Sequence, residues 1–198
     1  MENNNITRPI ASDRELTWDK KKALLSKTDA KGTILYANEA FIEVSGYDEH
    51  ELVGQPHSII RHPDMPKVIF KLLWEEIKKG HDFHGIIKNL AKNGRYYWVI
   101  TEFKTQLDAN GEPIGYFGTR RSISEAVVVK YIEPLYKKLL NIEETSGMEA
   151  SENFLLGFLE ERNKNYVEYV DNLVATGVDD GNKVQKGFFA RFFSKSHI

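Results

Sequence analysis

The densest group of chemically able side chains lies between two apolar stretches, in the segment Gly54-Gln-Pro-His57-Ser-Ile-Ile-Arg61-His62-Pro-Asp64-Met-Pro66. Its prolines fix φ and stiffen the backbone. A structural reading makes it a rigid loop in which Asp64 caps the following helix while Arg61 and His62 face water. A functional reading has Arg61 and His62 meeting an anionic group near a helix N-terminus, where charge-assisted hydrogen bonds are strong. A second set is Phe83, Gly85, Ile87 and Asn89, spaced by two. On a strand these share one face. An aromatic ring, a position without a side chain and an amide suit a pocket for a flat ring, and Asn89 offers both donor and acceptor to a heterocycle edge. An ordinary core face, with the amide bonded to backbone, fits the same spacing.

Other chemistries are poorly served. The chain contains no cysteine, which excludes disulfides, Cys-zinc and Cys-bound iron–sulfur sites, thiol nucleophiles and any thiol adduct to a cofactor. His81 and His84 lie three apart, on opposite faces of a strand, so they do not share a metal. His57, His62 and His84 could each ligate haem iron singly, although lone histidines are more often structural. No His-Glu-x-x-His, P-loop, Gly-x-Gly-x-x-Gly or Ser-His-Asp pattern occurs. Catalysis has no positive support, and the chain is not expected to be an enzyme.

The elements that must position these residues follow from periodicity. Two short apolar runs flank Asp29-Ala-Lys-Gly32 as a hairpin. Asn38 is the expected N-cap of a short helix carrying Phe41 and Ile42, with Gly46 stopping it. Met65, Val68, Ile69, Leu72, Leu73 and Ile77 fall on one helical face, with Asp64 as the expected cap and Lys78-Lys79-Gly80 as the end. Residues 82–90, 95–107 and 114–123 read as three antiparallel strands joined at Asn93-Gly94 and Asn110-Gly111. The sum is an α+β fold with one five-stranded antiparallel sheet.

Past Ser124 the pattern is helical. Val128, Ile132, Leu135, Leu139 and Ile142 form a seam too short for a coiled coil, and Pro134 kinks it or marks its first turn. Residues 143–150 read as a linker, and Phe154, Leu155, Phe158, Leu159, Val170 and Val174 as one further long helix. In the tail, Phe188, Phe189, Phe192 and Phe193 share a helical face beside Lys and Arg, as in a membrane-surface or partner-docking helix. A tail folded back on the domain, or an ordinary frayed terminus, fits the pattern better.

The 198 residues suit one domain plus an extension. With 41% hydrophobic and 12% aromatic residues, wholesale disorder is excluded. Lys+Arg 27 against Asp+Glu 29 argues against a nucleic-acid binder driven by phosphate neutralisation. No secretory signal opens the chain, and its longest apolar runs are far short of a membrane span. A soluble, intracellular protein is expected.

Several motifs together resemble a PAS domain over residues 17–124: Tyr36-Ala-Asn38-Glu-Ala-Phe41, Val44-Ser-Gly-Tyr47 and Glu51-Leu-Val-Gly54-Gln-Pro56. The segment Ile60-Arg-His-Pro-Asp-Met-Pro66, with Gly85, Lys88-Asn89, Lys92-Asn-Gly94 and Tyr97-Trp98-Val99, resembles more narrowly the sensing domain of bacterial aerotaxis receptors. The resemblance implies a PAS fold with helices on one face of the sheet and a C-terminal helical extension. Residues 1–16 are then a flexible arm, 125–178 the extension and 179–198 the Phe-rich tail.

It also implies non-covalent FAD binding and redox sensing. Asn38, Arg61, His62, Asp64 and Asn89 match positions associated with FAD in that family: Arg61 and His62 on the pyrophosphate or adenosine side, Asn89 at the isoalloxazine edge. Trp74 is a further candidate, and Phe83 stands where many flavin-binding relatives carry Trp. The chain resembles short PAS proteins that signal to a separate membrane-bound methyl-accepting chemotaxis transducer, and a homodimer through flanking helices is a family expectation. The implied location is the cytoplasm, at the inner face of the membrane through that partner. Two other readings stay open: a haem-binding gas sensor using His57 or His62, and a cofactor-free PAS interaction module.

Overall fold

A computed structural model describes residues 8–179. Five strands, β1 (Leu24–Asp29), β2 (Ile34–Ala37), β3 (Phe83–Leu90), β4 (Tyr96–Leu107) and β5 (Pro113–Ser122), form one antiparallel sheet in the order β2-β1-β5-β4-β3. The β1–β2 and β4–β5 hairpins turn on the same device. The Asp29 carboxylate accepts from the backbone N–H of Lys31 and Thr33, and Asp108 does the same for Asn110 and Glu112.

Three helices precede β3: α1 (Glu39–Ser45), α2 (Glu49–Leu52) and α3 (Lys67–Lys78), with a 3₁₀ turn at His57–Ile60. Asn38 caps α1 as expected, its Oδ1 accepting from Phe41 N at 3.0 Å. The same oxygen accepts from Leu25 N, and Nδ2 donates to Ala23 O, so one side chain ties α1 to β1. Gly46, at φ 72°, ends the helix in the left-handed conformation glycine tolerates.

The start of α3 differs from expectation. Asp64 lies too far upstream to cap it: the helix begins at Lys67, and Pro66 occupies the cap position without a side-chain bond. The first amides of α3 are met instead by the Glu143 carboxylate, which accepts from Lys67 N at 3.0 Å and Val68 N at 2.9 Å. Free helix N–H groups need such a partner, and here it comes from far along the chain.

After the sheet come α4 (Glu125–Val127), a π turn (Val128–Ile132), α5 (Glu133–Ser146), α6 (Met148–Glu160) and α7 (Tyr166–Thr176). Pro134 sits in the first turn of α5, directly after the π turn, where its missing N–H interrupts the helical hydrogen-bond ladder. The expected linker at 143–150 is absent. Helix runs to Ser146 and resumes at Met148, broken only at Gly147. The expected single helix beyond it is two, separated at 161–165, where Asn163 takes φ 52° and Asn165 with Glu168 forms a capping box.

This extension covers the free edge of β3. Tyr136 in α5 donates to Ile86 O and approaches the Trp98 ring, while α7 runs beside β3. At the other end, residues 8–16 are tied to the β3–β4 turn by Ser12 N to Gly94 O and Leu16 N to Tyr96 O. Among the described residues no helix is long and apolar enough to cross a membrane. The phenylalanines at 188, 189, 192 and 193 lie outside the described residues.

Candidate functional site: a polar-lined cavity

Alternation along the strands sends Ser26, Thr28, Ile87, Asn89, Thr101, Phe103, Tyr116, Gly118 and Arg120 to the face covered by α3 and the 3₁₀ turn, where they line a cavity of about 230 Å³. From above, α3 contributes Phe70, Leu73, Trp74 and Ile77, one apolar stripe at helical spacing. Trp74 meets Tyr116 edge-on at 5.7 Å. Gly32 lets the turn approach this ring: a Cβ there would sit 3.0 Å from Trp74 Cη2. The exposed Lys31 and Ser58 lie at the mouth.

The polar lining is incompletely partnered. Asn89 is 3% exposed, and its Nδ2 meets no acceptor. Thr101 Oγ1 and Arg61 Nε, also in the lining, are likewise buried without partners. Arg61 stacks its guanidinium 3.7 Å from the Phe70 ring centroid, and its backbone bridges to Asn89 on the outer edge of β3. Buried polar groups normally find partners; other buried atoms such as Tyr47 Oη and Tyr97 Oη also lack one, and it is their place in the cavity lining that lets these three receive a ligand's polar atoms.

The deepest charge is Arg120, 2% exposed. Its guanidinium donates to Ser26 Oγ at 3.0 Å, Gly118 O at 3.3 Å and His57 Nε2 at 2.8 Å. Among the described residues it forms no ion pair. Burial lowers its pKa to about 10, so it stays cationic at neutral pH. Burial and the Arg120 charge hold His57 well below the ordinary histidine value, and the imidazole is neutral. Gly118 makes this possible, since a Cβ there would lie 2.9 Å from the guanidinium. A buried cation without an anion is costly. The cavity is therefore arranged to receive negative charge or an electron-rich ring edge.

Of the residues singled out in the sequence, His57, Arg61, Trp74, Ile87 and Asn89 converge on this cavity. Asn38, His62, Asp64 and Phe83 do not line it. Asn38 is the α1 cap. His62 is 3% exposed on the far side of the loop, its Nδ1 accepting from Asp64 N and its ring edge-on to Tyr96. Burial, then the Lys88 charge, lower its pKa to about 4. Asp64 accepts from Lys88 Nζ at 2.8 Å. Burial alone would raise its carboxyl, but the hydrogen bond and charge of Lys88 outweigh this and hold it low. His62 and Asp64 thus anchor the loop that presents Arg61. Phe83 lies on the cavity face of β3 but stacks on Tyr166 of α7, 5.6 Å between centroids and 12° between planes.

Sequence reasoning missed Arg120, Thr101 and Tyr116, and considered His57 only as a metal ligand. The available signal was the alternation Tyr116, Gly118, Arg120, which sets a charge on an aromatic face. That the face points inward depends on strand register, which the sequence did not reveal.

A model of the PAS fold matches residues 34–120, the stretch from β2 into β5 that encloses most of the cavity. The chain is 43% identical over 133 residues to the aerotaxis receptor of Escherichia coli (strain K12), spanning 67% of this chain and 26% of that receptor. It is 30% identical over 100 residues to a nitrogen fixation regulatory protein of Klebsiella pneumoniae, 50% of this chain and 20% of that one. The chain thus spans about a quarter or less of these relatives. Among solved structures, the light state of the blue-light photoreceptor Aureochrome1 LOV is similar at 23% identity and a TM-score of 0.48, covering 61% of this chain and 91% of that one.

Proposed function

We propose that this chain is an energy-taxis sensor whose PAS domain holds FAD non-covalently and reports redox state through its C-terminal helices to a separate membrane-bound chemotaxis transducer. The observation carrying the reading is the cavity's own imbalance: a buried Arg120 that forms no ion pair among the described residues, together with Asn89 Nδ2 and Thr101 Oγ1, which meet no hydrogen-bond partner there. Similarity to the aerotaxis receptor supports the taxis role.

The residues present suit this cofactor. Trp74, Tyr116 and Ile87 offer flat apolar walls for a ring system, and Asn89 offers a donor and an acceptor at its edge. Arg61 and Lys31 at the mouth suit the pyrophosphate. Bound FAD supplies a reversible redox centre whose charge and hydrogen-bonding pattern depend on its oxidation state. Arg120, cationic and desolvated, stabilises added negative charge in the cavity, and neutral His57 holds the guanidinium in place. With no cysteine in the chain, a thiol adduct to the cofactor is excluded. Haem is less well served, because the His57 Nε2 lone pair is taken by Arg120 and His62 lies outside the lining.

The test is the visible spectrum of the purified protein, with the chromophore released by heat and identified. Flavin bands bleached by dithionite, with FAD released, are expected. A Soret band would assign haem instead. A colourless protein that refuses added FAD would leave the interaction module.

A further inference from the structure

Two walls of the cavity are held from outside by the same C-terminal segment. The first is α3, which supplies Phe70, Leu73, Trp74 and Ile77. Its N-terminus has no local cap and is bonded at two amides by Glu143 at the end of α5. One turn on, Lys71 forms an ion pair with Glu152 of α6. The second is β3, which supplies Ile87 and Asn89. Its outer edge is shared: at Asn89 it bridges to Arg61, and at Ile86 its carbonyl accepts from Tyr136 at 2.7 Å. The Tyr136 oxygen in turn accepts from Tyr166 at 2.5 Å, whose ring stacks on Phe83, and His84 meets Asp171 at 2.7 Å.

We propose that α5–α7 form a latch whose docking on α3 and β3 is thermodynamically linked to occupancy of the cavity, with Glu143 as the residue that positions the α3 wall. The physical argument is linkage. A guest packed against Trp74 and Asn89 binds well only when α3 and the β3 edge stand where Glu143 and Tyr136 hold them. It therefore binds the latched state more tightly and shifts the population toward it. Reciprocity then requires that the unlatched state bind the guest more weakly by the same factor by which the guest suppresses latch opening, so a variant loses affinity as its open state becomes populated. The extension is on this view part of the sensor, and a change at the β3 edge reaches the output helices through the Tyr136–Tyr166 pair. The choice of FAD as guest rests on the proposed function; the latch does not.

The experiment compares the 198-residue chain with Glu143→Ala, Glu143→Gln and Tyr136→Phe by amide hydrogen exchange, with and without added FAD, alongside FAD titration. Circular dichroism confirms folding, and Glu143→Gln, which keeps a carbonyl acceptor, should restore part of the wild-type behaviour. Without ligand, Glu143→Ala should speed exchange along α3 as well as α5–α7. With FAD, exchange in residues 133–176 should slow in the wild type, and the affinity lost in Glu143→Ala should reach about 5- to 150-fold, the usual range of such couplings. Unchanged α3 exchange in ligand-free Glu143→Ala would overturn the latch, as would FAD affinity equal to wild type. If the wild type takes no FAD while Glu143→Ala still loosens α3 and α5–α7 together, the flavin assignment fails while the coupling of the α3 wall to the extension holds.

Discussion

Arg120 places its guanidinium 2.8 Å from Nε2 of His57, and neither side chain meets a carboxylate among the described residues. A cation and a neutral imidazole share the inner wall of the cavity, supported by Ser26 Oγ and the Gly118 carbonyl. In folding terms this is an expense, since desolvating an unpaired charge opposes stability. Sites that bind charged or redox-active groups carry such local conflicts, resolved only when the ligand arrives.

Stability and binding should therefore separate at this residue. Arg120→Met is expected to stabilise the ligand-free protein by about 1–3 kcal/mol, raising its melting temperature by several degrees. The same change should weaken FAD binding and lower the midpoint potential of bound flavin by roughly 30–60 mV, if one charged hydrogen bond of about 1.5–3 kcal/mol is lost. Thermal melts of the apo protein and potentiometric titration of the loaded protein check the two halves. A variant less stable without ligand would contradict the electrostatic account.

Gly118 offers a route to the same charge without removing it. Its added Cβ would lie 2.9–3.0 Å from both terminal guanidinium nitrogens, so Gly118→Ala should push Arg120 off His57. His57, freed of that charge, should then titrate closer to the ordinary histidine value. The histidine ring proton shifts, followed by NMR against pH, would register the movement.

Asn89→Leu removes a buried amide whose Nδ2 has no partner, so the apo fold should lose little. The loss appears on binding. Without the edge donor and acceptor, FAD affinity should fall by roughly 10- to 100-fold, the worth of one or two hydrogen bonds. Isothermal titration of apo protein with FAD measures this, and an unchanged affinity would remove Asn89 from the site.

Acid should destabilise the fold in a defined window. The folded His62 takes up its proton only near about 4, against 6.5 for the unfolded chain. Between those values the unfolded state binds more protons, so stability is full above pH 6.5 and falls as pH drops toward 4. His57 acts in the same direction. The His62 share is about 2–3 kcal/mol, and His62→Phe should flatten that part of the profile in urea melts taken from pH 7 to pH 4.

The α+β order, Asn38 as a cap, the turns at Asp29 and Asp108 and the three long strands were legible in the sequence, because each is set by local chemistry: a side chain capping its own helix, or an Asx turn closing within a few residues. The Arg61, Trp74 and Asn89 positions could be named there as well. What the tertiary structure decided was everything that depends on elements distant in the chain. Asp64 was read as a cap from its position, yet it pairs with Lys88, and Glu143 caps α3 from far downstream. His62 packs on Tyr96, and Phe83, although on the cavity face of β3, stacks on Tyr166 of α7, so neither joins the lining. Arg120 enters the site only through the pairing of β5 with β1 and β4, which sets its face. Local propensities are written residue by residue, whereas burial, pairing partners and charge environments are properties of the assembled fold.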